Sequence, residues 1–351
     1  MKTPPHPSAS PTRPLSWLWP GALLTRRTGA LPLLAGLMFH PATADAGPLR
    51  EWLAKRHQAA ASQPAAHEGQ DISLDTPEPD AAPIPSPTLP SGARQFLDLP
   101  YGPDPRQRMD VYLPAKPQNA SAIVMVHGGA WAIGDKAHGK VVANKLAHWL
   151  PQGIALISVN YRLLPGASPT EQALDVARAL AAAQKRAAGW GLNTQAFVLM
   201  GHSAGAHIVA LLSAQPDLAV AQGASPWLGS ALLDSAALDV PRIMQTPGHM
   251  RLYDKAFGAD PVYWIKASPL HQLGKGATPM LAVCSSKRQD SCDQARVFAD
   301  KATSIGAQVK VLPQALSHGD INGELGQPGA YTEAVDNFLA TLPGFKPATS
   351  P

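Results

Sequence analysis

"AFVLMGHSAGAHIVALLSA", residues 196–214, is the stretch that decides how this chain is read. An apolar run leads into Gly-His-Ser-Ala-Gly, and a run of helix formers leads out. Ser203 stands two residues from Gly201 and two from Gly205, as a sharp strand-to-helix turn requires. The glycines leave out Cβ atoms where the backbone bends and where neighbouring segments approach. The bend pushes the serine hydroxyl beyond the strand end. The free N–H groups at the start of the following helix then face any negative charge that develops there. Ser203 is a candidate nucleophile. The plainer alternative, a small residue in a tight turn, is decided by what surrounds it.

Working outward, strand and helix signals alternate. "RQFLDLPYG" and "RMDVYLP" read as two strands around a Gly/Pro/Asp turn, an antiparallel hairpin. "SAIVMVHGG" and "GIALISVNY" are continuous apolar runs, the pattern of strands buried on both faces. "SPTEQALDVARALAAAQKRAAGW" opens with a Ser-Pro start signal and continues in strong helix formers. "KVVANKLAHWL", "DQARVFADKATSIG" and "YTEAVDNFLATL" are further helices, and "GSALLD", "PMLAVCS" and "AQVKVLP" further strands. This alternation predicts an α/β fold: a mostly parallel central sheet with an N-terminal antiparallel hairpin and helices on both faces. The globular domain is expected over residues 94–345, with a tail at 346–351.

A serine hydroxyl needs a base to become a nucleophile. "LPQALSHGDIN" places His318 in a loop past the last strand. His202 lies within the turn itself, where its side chain diverges from that of Ser203. His207 follows one helical turn on and is expected to pack on the sheet. A carboxylate must orient the base and stabilise its charged form. "PMLAVCSSKRQDSCDQ" offers Asp290 in a loop and Asp293, which suits a helix cap. Asp234, after "SALL", is a third candidate from the preceding strand. Asp290 is preferred. "HGGAW", 127–131, supplies glycines whose N–H groups can approach a substrate. With the N–H of Ala204, those of Gly128 and Gly129 would form an oxyanion hole. His127 is expected to brace that loop, and Trp131 to border the substrate pocket.

These motifs, together with "YGPDPRQRMDVYLP", "VNYRLLP" and the helical Asp175, resemble the α/β-hydrolases. More narrowly, they resemble the carboxylesterases like hormone-sensitive lipase and the bacterial feruloyl-esterase-like group. The resemblance spans most of residues 94–320. It implies Ser203, Asp290 and His318 as a catalytic triad, Gly128, Gly129 and Ala204 as oxyanion donors, and hydrolysis of small or medium carboxylic esters. The sequence departs from the family twice. The acid loop lacks the usual Asp-x-x-Val-Pro pattern, and Ala130 replaces the third glycine of many relatives. "HGG-x-W" and "GHSAGAH" also resemble arylformamidases, so amide hydrolysis at the same site is an alternative. A hydrolase fold kept only for binding should have lost a triad member, and none is missing here.

Residues 234–270 carry Met244, Met250, Tyr253, Phe257, Tyr263 and Trp264 between two strands. They could cap the site and shape an apolar pocket, or simply pack the insert onto the sheet. No metal or organic cofactor is needed for this chemistry. The expected partner is a small-molecule ester.

The chain has 351 residues, 45 % of them hydrophobic, and a net charge of +4. Much of that charge lies in residues 1–46, where Lys2, Arg13, Arg26 and Arg27 face only Asp45. The remaining body is nearly neutral, which gives no footprint for nucleic acid. Arg26 and Arg27 precede the apolar "TGALPLLAGLMF" and the small-residue "ATADAG", the layout of an export signal. That predicts a secreted or periplasmic protein without a stable membrane span. A short helix at 49–61 and a proline-rich linker to residue 93 follow. Cys284 and Cys292 are the only cysteines. In an exported chain they could pair.

Overall fold

A computed structural model describes residues 88–346. The expected export signal, the helix at 49–61, most of the proline-rich linker and the tail from residue 347 lie outside the described residues.

Eight strands form one sheet in the order β1-β2-β4-β3-β5-β6-β7-β8. β1 (Arg94–Pro100) and β2 (Arg108–Leu113) make the antiparallel hairpin, and β2 runs antiparallel to β4 (Ala155–Val159). From β4 onward every pairing is parallel, through β3 (Ala120–Val126), β5 (Leu192–His202), β6 (Gly229–Leu233), β7 (Met280–Ser285) and β8 (Val309–Gln314).

The apolar runs become strands because both faces of the sheet are covered. Successive residues of a strand point to opposite faces. In β3, Ala122, Val124 and Val126 enter one core, and Ile123 and Met125 enter the other. In β5, Phe197 and Leu199 divide from Val198 and Met200 in the same way. Helices α1 (Gly139–Trp149) and α5 (Ala330–Ala340) cover the second core. Helices α2 (Pro169–Arg186), α3 (Ala204–Ala214) and α4 (Gln289–Ser304) cover the first. Each fully buried Val, Leu, Ile, Met or Phe contributes about 1.5–3 kcal/mol, so β3, β4, β6 and β7, buried at every residue, anchor the fold.

The parallel arrangement sends the ends of β3, β5, β6, β7 and β8 to one edge of the sheet. The loops that follow them carry "HGGAW", Ser203, Asp234, the 286–288 turn and His318. Four short helices, Val240–Gln245, Arg251–Phe257, Pro261–Ala267 and Pro269–Gln272, fill the insert between β6 and β7.

Close backbone approach at the β5–α3 turn explains both of its glycines. A Cβ on Gly201 would lie 2.4 Å from the carbonyl oxygen of Gly205. A Cβ on Gly205 would lie 2.3 Å from that of Val126 and 2.5 Å from that of His127. The second contact seats α3 against the end of β3. Gly205→Ala should therefore destabilise the protein by about 3 kcal/mol or more through backbone overlap. Gly139→Ala, where a Cβ meets nothing within 4 Å, should change stability by less than about 1 kcal/mol. Urea unfolding of both variants measures the difference, and equal effects would contradict the packing described.

Candidate active site

β5 ends at His202 and α3 begins at Ala204, so Ser203 is the single residue between strand and helix. Its backbone has φ 55° and ψ −118°, a conformation that non-glycine residues rarely adopt. Two hydrogen bonds hold it there. The N–H of Ser203 donates to Leu233 O at 2.9 Å, and the N–H of His207 donates to Ser203 O at 3.0 Å. Ala204 is the first residue of α3, so its N–H has no acceptor within the helix.

The loop after β3 closes over this turn. A Cβ on Gly128 would come within 2.9 Å of Ser203 Cβ, so only glycine fits there. Ala130 and Trp131 both have positive φ, 49° and 60°. Such backbone persists only where its surroundings fix it. Here the Trp131 carbonyl accepts from Leu164 N–H and from Gln172 Nε2, both at 2.9 Å. The Tyr161 hydroxyl donates to His127 O at 2.8 Å, and Arg106 Nη2 donates to Gly134 O at 2.6 Å. Buried Lys136 fastens the far end of the loop to Asp110 of β2, 2.9 Å away. His127 braces the loop as expected: its ring stacks on Tyr161 at 4.5 Å, and Nδ1 lies 2.7 Å from Gly128 O. Burial lowers its pKa to about 4, so it is neutral near pH 7.

His318 begins the short helix His318–Gly323, directly after the β8 exit. Its Nδ1 donates to Asp234 Oδ2 at 2.6 Å. Asp234 is wholly buried at the end of β6 and also has positive φ, 56°. Its other oxygen, Oδ1, accepts from Ser285 N–H at 2.7 Å and from the Ser291 hydroxyl. Arg288 Nη1 reaches Oδ2 at 2.8 Å. Burial alone would favour the neutral acid. The hydrogen bond from His318, the charge of Arg288 and the Ser291 hydroxyl outweigh it and hold the carboxyl well below the usual range. Asp234 is an anion at every pH where the protein would work.

Ser203, His318 and Asp234 line one cavity, together with Gly128, Gly129, Ala204 and Trp131. Ala236, Ala237, Met250, Leu252 and Tyr253 add an apolar wall. Trp131 packs edge-on against His207 at 5.3 Å and Phe257 at 5.0 Å. The insert contributes both to the cavity lining and to the core. Met250 and Tyr253 face the cavity, while Phe257, Met244, Tyr263 and Trp264 pack it down.

Comparison with known proteins agrees with this layout. The family model described as BD-FAE matches residues 109–224. Isoprenylcysteine alpha-carbonyl methylesterase ICME of Arabidopsis thaliana is 26 % identical over 69 % of this chain and 60 % of its own. Esterase LipC of Mycobacterium tuberculosis is 28 % identical over 68 % of this chain and 63 % of its own. The chain therefore spans less than two thirds of the length of either curated relative. Among solved structures, the apo form of Thermogutta terrifontis esterase 2 superposes with a TM-score of 0.58. It is 25 % identical, over 76 % of this chain and 98 % of that one. A truncated carbohydrate esterase from gut microbiota gives a TM-score of 0.60 at 18 % identity, over 72 % of this chain and 98 % of that one. The chain has the α/β-hydrolase fold. The proteins it resembles are named as esterases.

The preferred acid, Asp290, does not reach the histidine. Helix α4 starts at Gln289, four residues before the expected start at Asp293, so Asp290 sits in the first helical turn rather than in a loop. Its carboxylate caps Ser291 N–H at 2.9 Å and meets Arg288 Nη2 at 3.5 Å. Asp293 pairs with Arg296 at 3.0 Å. The acid at His318 is Asp234, one strand earlier. His207 also differs from expectation. It bridges rather than packs on the sheet, accepting from Trp131 Nε1 at 3.2 Å and donating to Ala267 O at 2.7 Å.

Two residues carry weight that no motif announces. Lys145 of α1 is fully buried, and its ammonium donates to Asn322 O at 2.7 Å, Asn322 Oδ1 at 2.9 Å and Lys140 O at 3.3 Å. It ties the His318 helix to α1, and burial lowers its pKa to about 7. Arg288 is the other. For Lys145 the sequence signal is a cation on the apolar side of a helical run; Arg288, among Lys287, Gln289 and Asp290, has none.

Cys284 and Cys292 are bonded, closing a loop with a sequence separation of eight. That loop contains Ser285, Arg288 and Ser291, three of the donors to Asp234. Replacing both cysteines with alanine should lower stability by about 2–3 kcal/mol through the entropy of the unfolded loop. Denaturant unfolding of the double variant measures this, and an unchanged midpoint would contradict it.

Proposed function

We propose that this protein is a serine carboxylesterase acting on small or medium carboxylic esters, with Ser203 as nucleophile, His318 as general base and Asp234 as the acid behind it. The observation that carries this reading is the 2.6 Å contact between His318 Nδ1 and Asp234 Oδ2, in the cavity that Ser203 also lines. The acid fixes the ring's tautomer, which leaves Nε2 as the basic nitrogen.

Ser203 Oγ attacks the ester carbonyl carbon as its proton passes to His318 Nε2. The carbonyl oxygen becomes an oxyanion, met by N–H groups of Ala204 and of Gly128 or Gly129. As the intermediate collapses, His318 returns the proton to the departing alcohol oxygen and the C–O bond breaks. Water then attacks the acyl-serine, giving its proton to His318. The carboxylic acid leaves and Ser203 regains its hydrogen. Asp234 stays anionic throughout and stabilises the imidazolium in each half. The apolar wall of Trp131, Met250, Leu252 and Tyr253 supports an apolar acyl or alcohol group.

An exported protein is consistent with the Cys284–Cys292 bond, since disulfides persist in oxidising compartments. We propose that the protein works in the periplasm or outside the cell; that bond and the N-terminal sequence support this reading. One relative, kynurenine formamidase of Salmo salar, is 25 % identical over 44 % of this chain and 50 % of its own. N-formylkynurenine therefore belongs in the assay beside simple esters. Esters are expected to be hydrolysed faster.

Hydrolysis of p-nitrophenyl butyrate tests the roles. Ser203→Ala should lose about 10⁴-fold or more in kcat. Asp234→Asn should lose about 10³–10⁴-fold, because the ring then loses its acceptor and tautomer. Asp290→Asn should stay within about threefold, as an exposed carboxylate contributes little. Turnover that survives Ser203→Ala, or a larger loss in Asp290→Asn than in Asp234→Asn, would overturn the assignment.

A further inference from the structure

Asp234 Oδ2 receives two donors. His318 Nδ1 lies 2.6 Å from it and Arg288 Nη1 lies 2.8 Å from it. The two nitrogens are themselves 2.7 Å apart. Both carry hydrogen, so neither accepts from the other, and they converge on one oxygen. The guanidinium does not deprotonate. A fixed positive charge therefore sits against the edge of the imidazole. The Arg288 side chain is only 13 % exposed and lines the cavity, so water screens it little.

We propose that Arg288 is a positioning residue for this site, sharing the outer oxygen of Asp234 with His318 and thereby keeping the histidine free of a second proton in mildly acid solution. The inference rests on the assignment of Ser203, His318 and Asp234 made above. A histidine facing a buried carboxylate alone gains affinity for a proton, and a protonated ring is no base. Arg288 offsets that gain. It balances the buried carboxylate, and it repels a proton arriving on Nε2.

The other charged and titratable groups around the ring do not share its acceptor. His202, at the end of β5, has its ring 4.6 Å from that of His318, and its Nε2 donates to the His318 carbonyl at 2.9 Å. Burial and the neighbouring His318 hold His202 well below the usual imidazole range, so it is neutral. Asp290 bears on Arg288 from its exposed side at 3.5 Å. Asp320, on the histidine's own helix, is engaged by the Ser317 hydroxyl. From α1, Lys145 is bound to Asn322, and Lys140 Nζ lies 3.6 Å from where a Cβ on Gly319 would sit. The Tyr331 hydroxyl of α5 donates to Ile321 O at 2.8 Å, and burial keeps it neutral.

The test is the pH dependence of kcat/KM for p-nitrophenyl butyrate, in the wild type, Arg288→Gln, Arg288→Lys and Ser203→Ala, each checked for folding by thermal melting. Arg288→Gln keeps a donor but removes the charge. Its acid limb should move to higher pH by about one unit, roughly a tenfold loss of relative rate on that limb, with the plateau changed much less. Arg288→Lys keeps the charge on a shorter side chain and should move the limb upward by a smaller amount. Should the Gln variant not fold, an unmoved limb in Arg288→Lys alone overturns the proposal. So does an unmoved limb in Arg288→Gln, a uniform loss at all pH, or a shift in Arg288→Lys as large as that in Arg288→Gln. Ser203→Ala separates the two readings. If it retains turnover, the site assignment fails. If it is inactive and the limb does not move, only the role of Arg288 fails.

Discussion

The buried negative charge of Asp234 is the constraint on which this site depends. An ionised carboxylate wholly out of water is tolerated only when its lone pairs are matched. Asp234 has four donors: His318, Arg288, the Ser285 N–H and the Ser291 hydroxyl. Three of the four come from residues 285–291, from the last residue of β7 into the first turn of α4, and the Cys284–Cys292 bond closes that segment on itself. The β7 end therefore supplies the donors that hold the acid, and β6 supplies the acid. The fourth donor is the histidine, whose helix is held from behind by Lys145.

Backbone strain is concentrated around the same cavity. Ser203, Asp234, Ala130 and Trp131 have positive φ without being glycine, and all four line it. Each such residue costs about 1–3 kcal/mol. The sheet offsets that cost by fixing its own edges. Ser203 N–H and Asp234 N–H donate to the ends of β6 and β7, and the 127–138 loop is pinned by Tyr161, Arg106 and Lys136. A second buried carboxylate, Asp175, plays the structural counterpart. It binds Arg162 through both oxygens, with Arg178 and Gln107 completing it, and locks the exit of β4 onto α2.

Much of this was legible in the residues themselves. The apolar runs marked β3, β4, β5, β6 and β7, because strands buried on both faces leave an unbroken hydrophobic signature. Glycines marked the β5–α3 turn and the 127–131 loop, because only glycine survives those backbone contacts. His318 was readable from its place after the last strand. The acid was not. Choosing among Asp234, Asp290 and Asp293 depends on where α4 begins, and "RQDSCDQ" carries no strong start signal. The four-residue difference turns Asp290 out to solvent. Asp234 follows its strand with no glycine or proline to announce the strained turn it occupies. Arg288 and Lys145 act through contacts between segments distant in sequence, which periodicity and local motifs do not encode.

Ser203, His318 and Asp234 line one cavity and, on the proposed function, act there as a unit. A crystal structure of the protein after reaction with a dialkyl fluorophosphate tests it most directly. Phosphorus should be bonded to Ser203 Oγ. The phosphoryl oxygen should lie about 3 Å from Ala204 N and from Gly128 N or Gly129 N, with His318 Nδ1 still on Asp234. A label on another residue, or a His318 ring turned to Asp290, would contradict it.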